Sequence, residues 1–220
     1  MKKIENKDFP VQKLTRMALL SSIVVVLQIV GMFAKVGELS INLSLVPVVI
    51  GAVLYGPLAG GILGLVSAVT ILATGQATFF LGIHIFGTLL VVFAKGFLSG
   101  YCAGVIARLL ARKNTWLSVF LAAAVCPIVN TGIFLIGCRL FFYRSFVVDA
   151  AAAAGRSPFL YLLVVLAGFN FLFELFMNLL LSPVIVRVLA LVGVHAPAHE
   201  QTEKEQKTDA GADALDDRKD

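Results

Sequence analysis

Long apolar runs separated by short polar breaks dominate the chain. A helix needs about 20 residues to cross about 30 Å of hydrocarbon, and Met17 to Val36 supplies such a run directly after Lys13 and Arg16. Residues 37–42, with Glu38, Ser40 and Asn42, form a polar break. The next apolar stretch contains Pro47 and the turn signal Gly56-Pro57, which divides it into spans at about 43–56 and 58–74. Both are short for a straight crossing, which is tolerated where irregular backbone is buried in protein or where the second span is partly re-entrant. Residues 74–82 read as a turn, 84–110 as a fourth span closed by Arg108, Arg112 and Lys113, and 115–140 as a fifth. Phe141 to Ser157 reads as a long connection with room for a short surface helix, and 159–189 as a sixth span with Pro183 near its far end. After Val194 the chain turns to Glu, Asp, Lys, Gln and Ala, a composition that leaves little to bury and predicts a disordered tail. The expected fold is an all-α integral membrane protein, a bundle of six transmembrane helices. Residues 1–16 form an N-terminal segment, 17–190 the membrane domain and 191–220 the tail.

Composition supports this reading. Of 220 residues 59% are hydrophobic and 14% charged, against about 25% charged in a soluble domain, so most of the surface must face something other than water. Only twelve charged side chains lie between residues 17 and 191. The net charge of +5 forms no basic face of the kind nucleic acid requires; the cations sit at the ends of apolar runs and act as topology signals. With the N-terminus inside, Lys2, Lys3, Lys7, Lys13, Arg16, Arg108, Arg112, Lys113 and Arg187 are cytoplasmic, and Lys35, Arg139, Arg144 and Arg156 lie outside. That asymmetry places both termini in the cytoplasm. The run after Arg16 is longer than the apolar core of a signal peptide and lacks a small-residue cleavage site, so it is expected to remain as the first membrane helix.

Three polar residues fall deep inside apolar spans. At 1.5 Å per residue, Lys95 lies about 20 Å above Arg108, Asn130 about 22 Å above Thr115 and Glu174 about 20 Å above Arg187. They share one level, somewhat outside the midplane. An ionised group at that depth must find water, a partner or a ligand. A Lys95–Glu174 pair that merely holds two helices together is one solution, and an outward-opening cavity that binds a polar solute is the other. Asn170, Glu174 and Asn178 recur every four residues and share a face. Phe169, Phe171, Phe173 and Phe176 flank it, and Asn178, the deepest, has the stronger claim to a structural role. The breaks at 37–42, 75–83 and 141–157 would cap such a cavity, which adds Asn42 and His84 to the candidates. His84 serves either as a helix start or as a substrate contact. In the fifth span Pro127 deprives the Ala123 carbonyl of its donor one turn below Asn130, giving a kink or a polar wall.

Gly56, Gly60 and Gly64, and Gly96, Gly100 and Gly104, repeat at a spacing that lets helices approach closely; packing within the bundle is the default and docking to another protein the alternative. Cys102, Cys126 and Cys138 read as small buried side chains rather than as metal or disulfide chemistry. A lone histidine makes no metal site, and nothing calls for a cofactor. There is no His-Glu-x-x-His, no Gly-x-Ser-x-Gly and no Gly-x-x-x-x-Gly-Lys-Ser/Thr. The chain is therefore expected not to be an enzyme and not to hydrolyse ATP itself.

Three stretches carry a resemblance: Lys13-Leu-Thr-Arg-Met-Ala-Leu-Leu-Ser-Ser22, Leu45-Val-Pro-Val-Val-Ile-Gly-Ala-Val-Leu-Tyr-Gly-Pro-Leu-Ala-Gly60 and Ala94-Lys-Gly-Phe-Leu-Ser-Gly-Tyr-Cys-Ala-Gly104. Over about residues 12–190 the sequence resembles the substrate-binding S component of an energy-coupling factor (ECF) transporter, a small six-helix bacterial membrane protein that captures a vitamin. The resemblance implies a membrane scaffold subunit and two cytoplasmic ATPases as partners. It also implies that an Ala-x-x-x-Ala strip on the first helix touches the scaffold, here Ala18 and Ser22 with serine in place of the second alanine. It implies a substrate held toward the outer side, consistent with Lys95, Asn130, Glu174, Asn170, His84 and Asn42 as binding residues. Residues 42–57 look most like pantothenate-type members, and Lys95 could meet a carboxylate if Glu174 does not neutralise it; riboflavin and folate are further possibilities. A non-transporting membrane scaffold and a stand-alone secondary transporter are the competing functions.

Overall fold

The computed structural model describes residues 8–33, 35–36, 39–40, 42–111 and 114–191. Residues 1–7 and 192–220, which include most of the predicted tail, lie outside them, as do Glu38, Arg112 and Lys113. The described chain is helical apart from one minimal ribbon. Helix α1 runs Asp8–Phe33, starting well before the expected Met17. Pro10 falls in its first turn, where a missing N–H costs nothing, and no second proline follows before Phe33. Strands β1 (Lys35–Val36) and β2 (Leu39–Ser40) pair antiparallel, with Lys35 opposite Ser40 and Val36 opposite Leu39; β2 lies in the predicted polar break, whereas β1 takes the last two residues expected in the first span.

Helices α2 (Leu45–Tyr55) and α3 (Pro57–Ala73) meet at Gly56, whose φ of 93° only glycine adopts without strain, with Pro57 pre-set for the first helical turn. Pro47 lies in the first turn of α2 and does not interrupt it. These two helices span about 16 and 26 Å. The predicted turn at 74–82 contains a short helix, α4 (Thr78–Ile83). Next come α5 (Ile85–Ala111) and α6 (Thr115–Phe141), the latter capped by Asn114 Oδ1, which accepts from the N–H groups of Trp116 and Leu117 at 2.9 and 3.4 Å. The long connection holds wide i→i+5 turns at Tyr143–Val147, then α7 (Val148–Ala153) and α8 (Pro158–Leu160). The expected sixth span changes pitch along its length: Tyr161–Gly168 is wound with i→i+5 bonds and α9 (Phe169–Leu191) is α-helical.

Four helices are long and apolar enough to cross a membrane by length and composition: Lys13–Phe33, Ile85–Ala111, Thr115–Phe141 and Asn170–Arg187. The helices α2 and α3 are apolar but shorter. Large apolar side chains such as Leu19, Phe33, Phe86, Leu109, Ile136 and Phe176 are exposed. The interior is built from small ones, with Val48, Val49, Ala52, Leu63, Ala103, Ala107, Val119, Ala122, Ala123 and Cys126 in one cluster. Small residues bring backbones together. A Cβ on Gly64 would run into the Gly96 carbonyl and one on Gly60 into the Gly100 carbonyl, so the glycine repeats pack α3 against α5 within the bundle. A second cluster, rich in aromatic rings, centres on Phe80, Cys138, Phe142, Val147 and Leu162. Cys126 and Cys138 are buried and all three cysteines are free.

Candidate substrate cavity

Phe80, Phe134 and Phe142 of the second cluster form one wall of a cavity whose enclosed and open space together come to about 790 Å³. Lys95, Asn130, Glu174, Asn170 and Asn42, contributed by α5, α6, α9 and the segment before α2, all line it. The common level inferred from helical rise is therefore a real convergence in space.

Glu174 is 3% exposed, and a buried carboxylate left unpaired costs several kcal/mol. The Asn42 backbone N–H donates to its Oε1 at 3.1 Å, the Asn170 amide to the same oxygen at 3.5 Å, and the Asn130 amide to Oε2 at 3.4 Å. One turn further on, the Asn178 amide donates to the Glu174 backbone carbonyl at 2.9 Å, a contact within α9. Lys95 is not paired with it directly: among the described residues no ion pair within 4.0 Å is formed. Both line the same cavity, and Lys95 Nζ sits over the ring of Phe134, 5.5 Å from its centroid.

The polar wall extends beyond the residues the sequence singles out. Gln28 of α1, 1% exposed, donates to Gln76 Oε1 at 2.9 Å and accepts from Ser44 and Ser67 hydroxyls at 2.8 and 3.0 Å. The Ser44 hydroxyl also reaches Asn42 Oδ1 at 2.7 Å and Ser67 Oγ at 2.8 Å. A continuous network thus joins α1, α3 and the 74–77 turn to Asn42, whose backbone holds Glu174. Gln28 was findable as the single polar side chain between Ser22 and Ala34; Gln76 and the serines carried no comparable signal.

Aromatic groups come from unexpected places. Phe80, Phe134, Phe142 and Phe171 line the cavity, and Phe80 makes edge contacts with Phe134, Phe142, Phe79 and Phe146 at 5.1 to 6.0 Å between centroids. Of the phenylalanines flanking the α9 stripe, Phe171 faces the cavity, Phe176 points outward at 59% exposure, and the Phe169 side chain lies outside the described residues. His84 does not line the cavity. It is exposed, its Nδ1 accepts from the Gly87 N–H at 2.9 Å, and it joins α4 to α5. Ala123 and Pro127 are buried away from the cavity, so the proline does not make a polar wall. Ala18 and Ser22 are exposed on α1, and the Ser22 hydroxyl donates to the Ala18 carbonyl at 3.1 Å. The hydroxyl is thereby satisfied within the helix and leaves the strip nearly as smooth as alanine would.

Apolar helices around a polar and aromatic cavity define a membrane protein that binds a small solute. The profile of a protein family described as "ECF transporter, substrate-specific component" matches residues 12–186, and the chain belongs to that family. Comparison with curated proteins and with solved structures gives no match in either.

Proposed function

We propose that this chain is the capture subunit of an ECF transporter importing a water-soluble vitamin across a bacterial cell membrane, with pantothenate the favoured substrate and riboflavin and folate to be tested beside it. The observation that carries the reading is the meeting of Lys95, Asn130, Glu174, Asn170 and Asn42 in one cavity between apolar helices. These five residues hold the substrate; His84 stays a helix-start residue. In this reading the four long helices and the shorter α2 and α3 make six crossings, supported by the tight α3–α5 contact and by the cationic flanks that put both termini inside. A membrane scaffold docks on the α1 strip at Ala18 and Ser22, and two cytoplasmic ATPases supply the energy.

The test is uptake into proteoliposomes. The chain alone is expected to bind vitamin without accumulating it. Accumulation is expected once scaffold, ATPases and ATP are present. Uptake by the chain alone that stops when an ion gradient is collapsed would establish a secondary transporter instead. An inert homo-oligomer that binds no vitamin would establish a scaffolding protein.

A further inference from the structure

The two ionisable groups of the cavity are held in opposite ways. Glu174 is satisfied by the protein: a backbone N–H and two side-chain amides, from three separate segments, donate to its two oxygens. Its charge is compensated by fixed dipoles before any ligand arrives. Lys95 has no such set. Among the described residues it makes no hydrogen bond and no ion pair within 4.0 Å, and its Nζ rests over the face of Phe134. An ammonium carries three donors, and here they are open to whatever fills the cavity.

We propose that Lys95 anchors a single carboxylate, so that the captured compound is a small monoanionic acid with an uncharged, hydrogen-bonding remainder. This rests on the capture reading above and narrows it. The remaining polar lining consists of amides and hydroxyls, namely Gln28, Gln76, Thr88 and Thr131 among others, and the rest is aromatic and aliphatic. Among the described residues no second cation lines the cavity. A dianion would leave one charge buried without a partner, a cationic vitamin would meet Lys95 with like charge, and a neutral one would leave the ammonium with no counter-charge but Glu174, whose oxygens already accept from Asn42, Asn130 and Asn170. Pantothenate and biotin meet the requirement, whereas thiamine, riboflavin and folate do not.

The decisive experiment compares acids with their neutral analogues by calorimetry on the full chain: pantothenate against pantothenol, in which a primary alcohol replaces the carboxylate, and biotin against biotinamide, with folate, riboflavin and thiamine in the same panel. An acid is expected to bind roughly tenfold or more tighter than its neutral analogue, the scale of a hydrogen bond to a charged group. Lys95→Met is expected to abolish that preference and Lys95→Arg to keep it. Equal affinity of acid and analogue for the unaltered protein, or a preference that survives in Lys95→Met, overturns the proposal. Should Lys95→Met fail to fold, the comparison on the unaltered protein decides by itself. Binding of folate, riboflavin or thiamine in place of the two monoanionic acids overturns the charge inference alone; binding of none of the panel overturns the capture reading with it.

Discussion

Removing the Glu174 carboxylate tests both the architecture and the function of the cavity. In Glu174→Ala the Asn42 N–H loses a 3.1 Å acceptor and the Asn130 and Asn170 amides lose longer contacts at 3.4 and 3.5 Å. An orphaned buried donor costs about 1–3 kcal/mol, and the two longer contacts add less. Cavity water can reach the vacated space, which holds the expected destabilisation to about 1–3 kcal/mol. Glu174→Gln should cost less. Its carbonyl can still accept from Asn42, and Asn130 can turn its own carbonyl toward the new amide, so about 1 kcal/mol is expected from the lost charge. Equilibrium unfolding by dodecyl sulfate in mixed micelles gives these differences, and calorimetry on the folded fraction gives the affinity. Glu174→Ala and Lys95→Ala are both expected to weaken vitamin binding more than they impair assembly. Normal binding by both variants, together with failure to fold, would show that the two residues serve structure alone. A Glu174→Ala protein as stable and as competent as the original would refute the network itself.

Other consequences follow from separate contacts. Gly64→Leu forces a side chain into the Gly96 backbone and should destabilise by about 1–3 kcal/mol or more, read as loss of folded protein in detergent. Gln28→Leu removes the acceptor shared by Ser44 and Ser67 and the donor to Gln76; a loss of about 1–2 kcal/mol and weaker binding are expected in the same two assays. Ser22→Ala should be neutral to within about 0.5 kcal/mol, whereas Ser22→Trp should leave binding intact and depress uptake in the fully reconstituted transporter. An unchanged uptake rate for Ser22→Trp would move the scaffold contact away from this strip.

The deep polar residues were legible because helical rise is constant: counting from Arg108, Thr115 and Arg187 sufficed to bring Lys95, Asn130 and Glu174 to one level, and they share one cavity. Their partners were harder to read. Whether Glu174 meets Lys95 or three amide donors depends on side-chain positions that spacing leaves open, and the structure chooses the amides. Of the aromatic wall only Phe171 was legible; Phe80 was not, because it sits in α4, a six-residue helix in a stretch with turn chemistry at Gly75 and Gly82. His84 was open to two readings, helix start or substrate contact, because a polar residue at the head of a span suits both; its Nδ1 accepts from the Gly87 N–H. The wide i→i+5 turns at 161–168 were not legible because the apolar run Tyr161–Gly168 suits an ordinary α-helix equally well.

The central claim is that this chain captures a vitamin by itself. Calorimetric titration of the purified protein, free of nucleotide and of any partner, with pantothenate, biotin, folate, riboflavin and thiamine in turn tests it most directly. Saturable one-to-one binding of at least one, with pantothenate favoured, is the predicted result; no saturable heat from any of them would contradict the account.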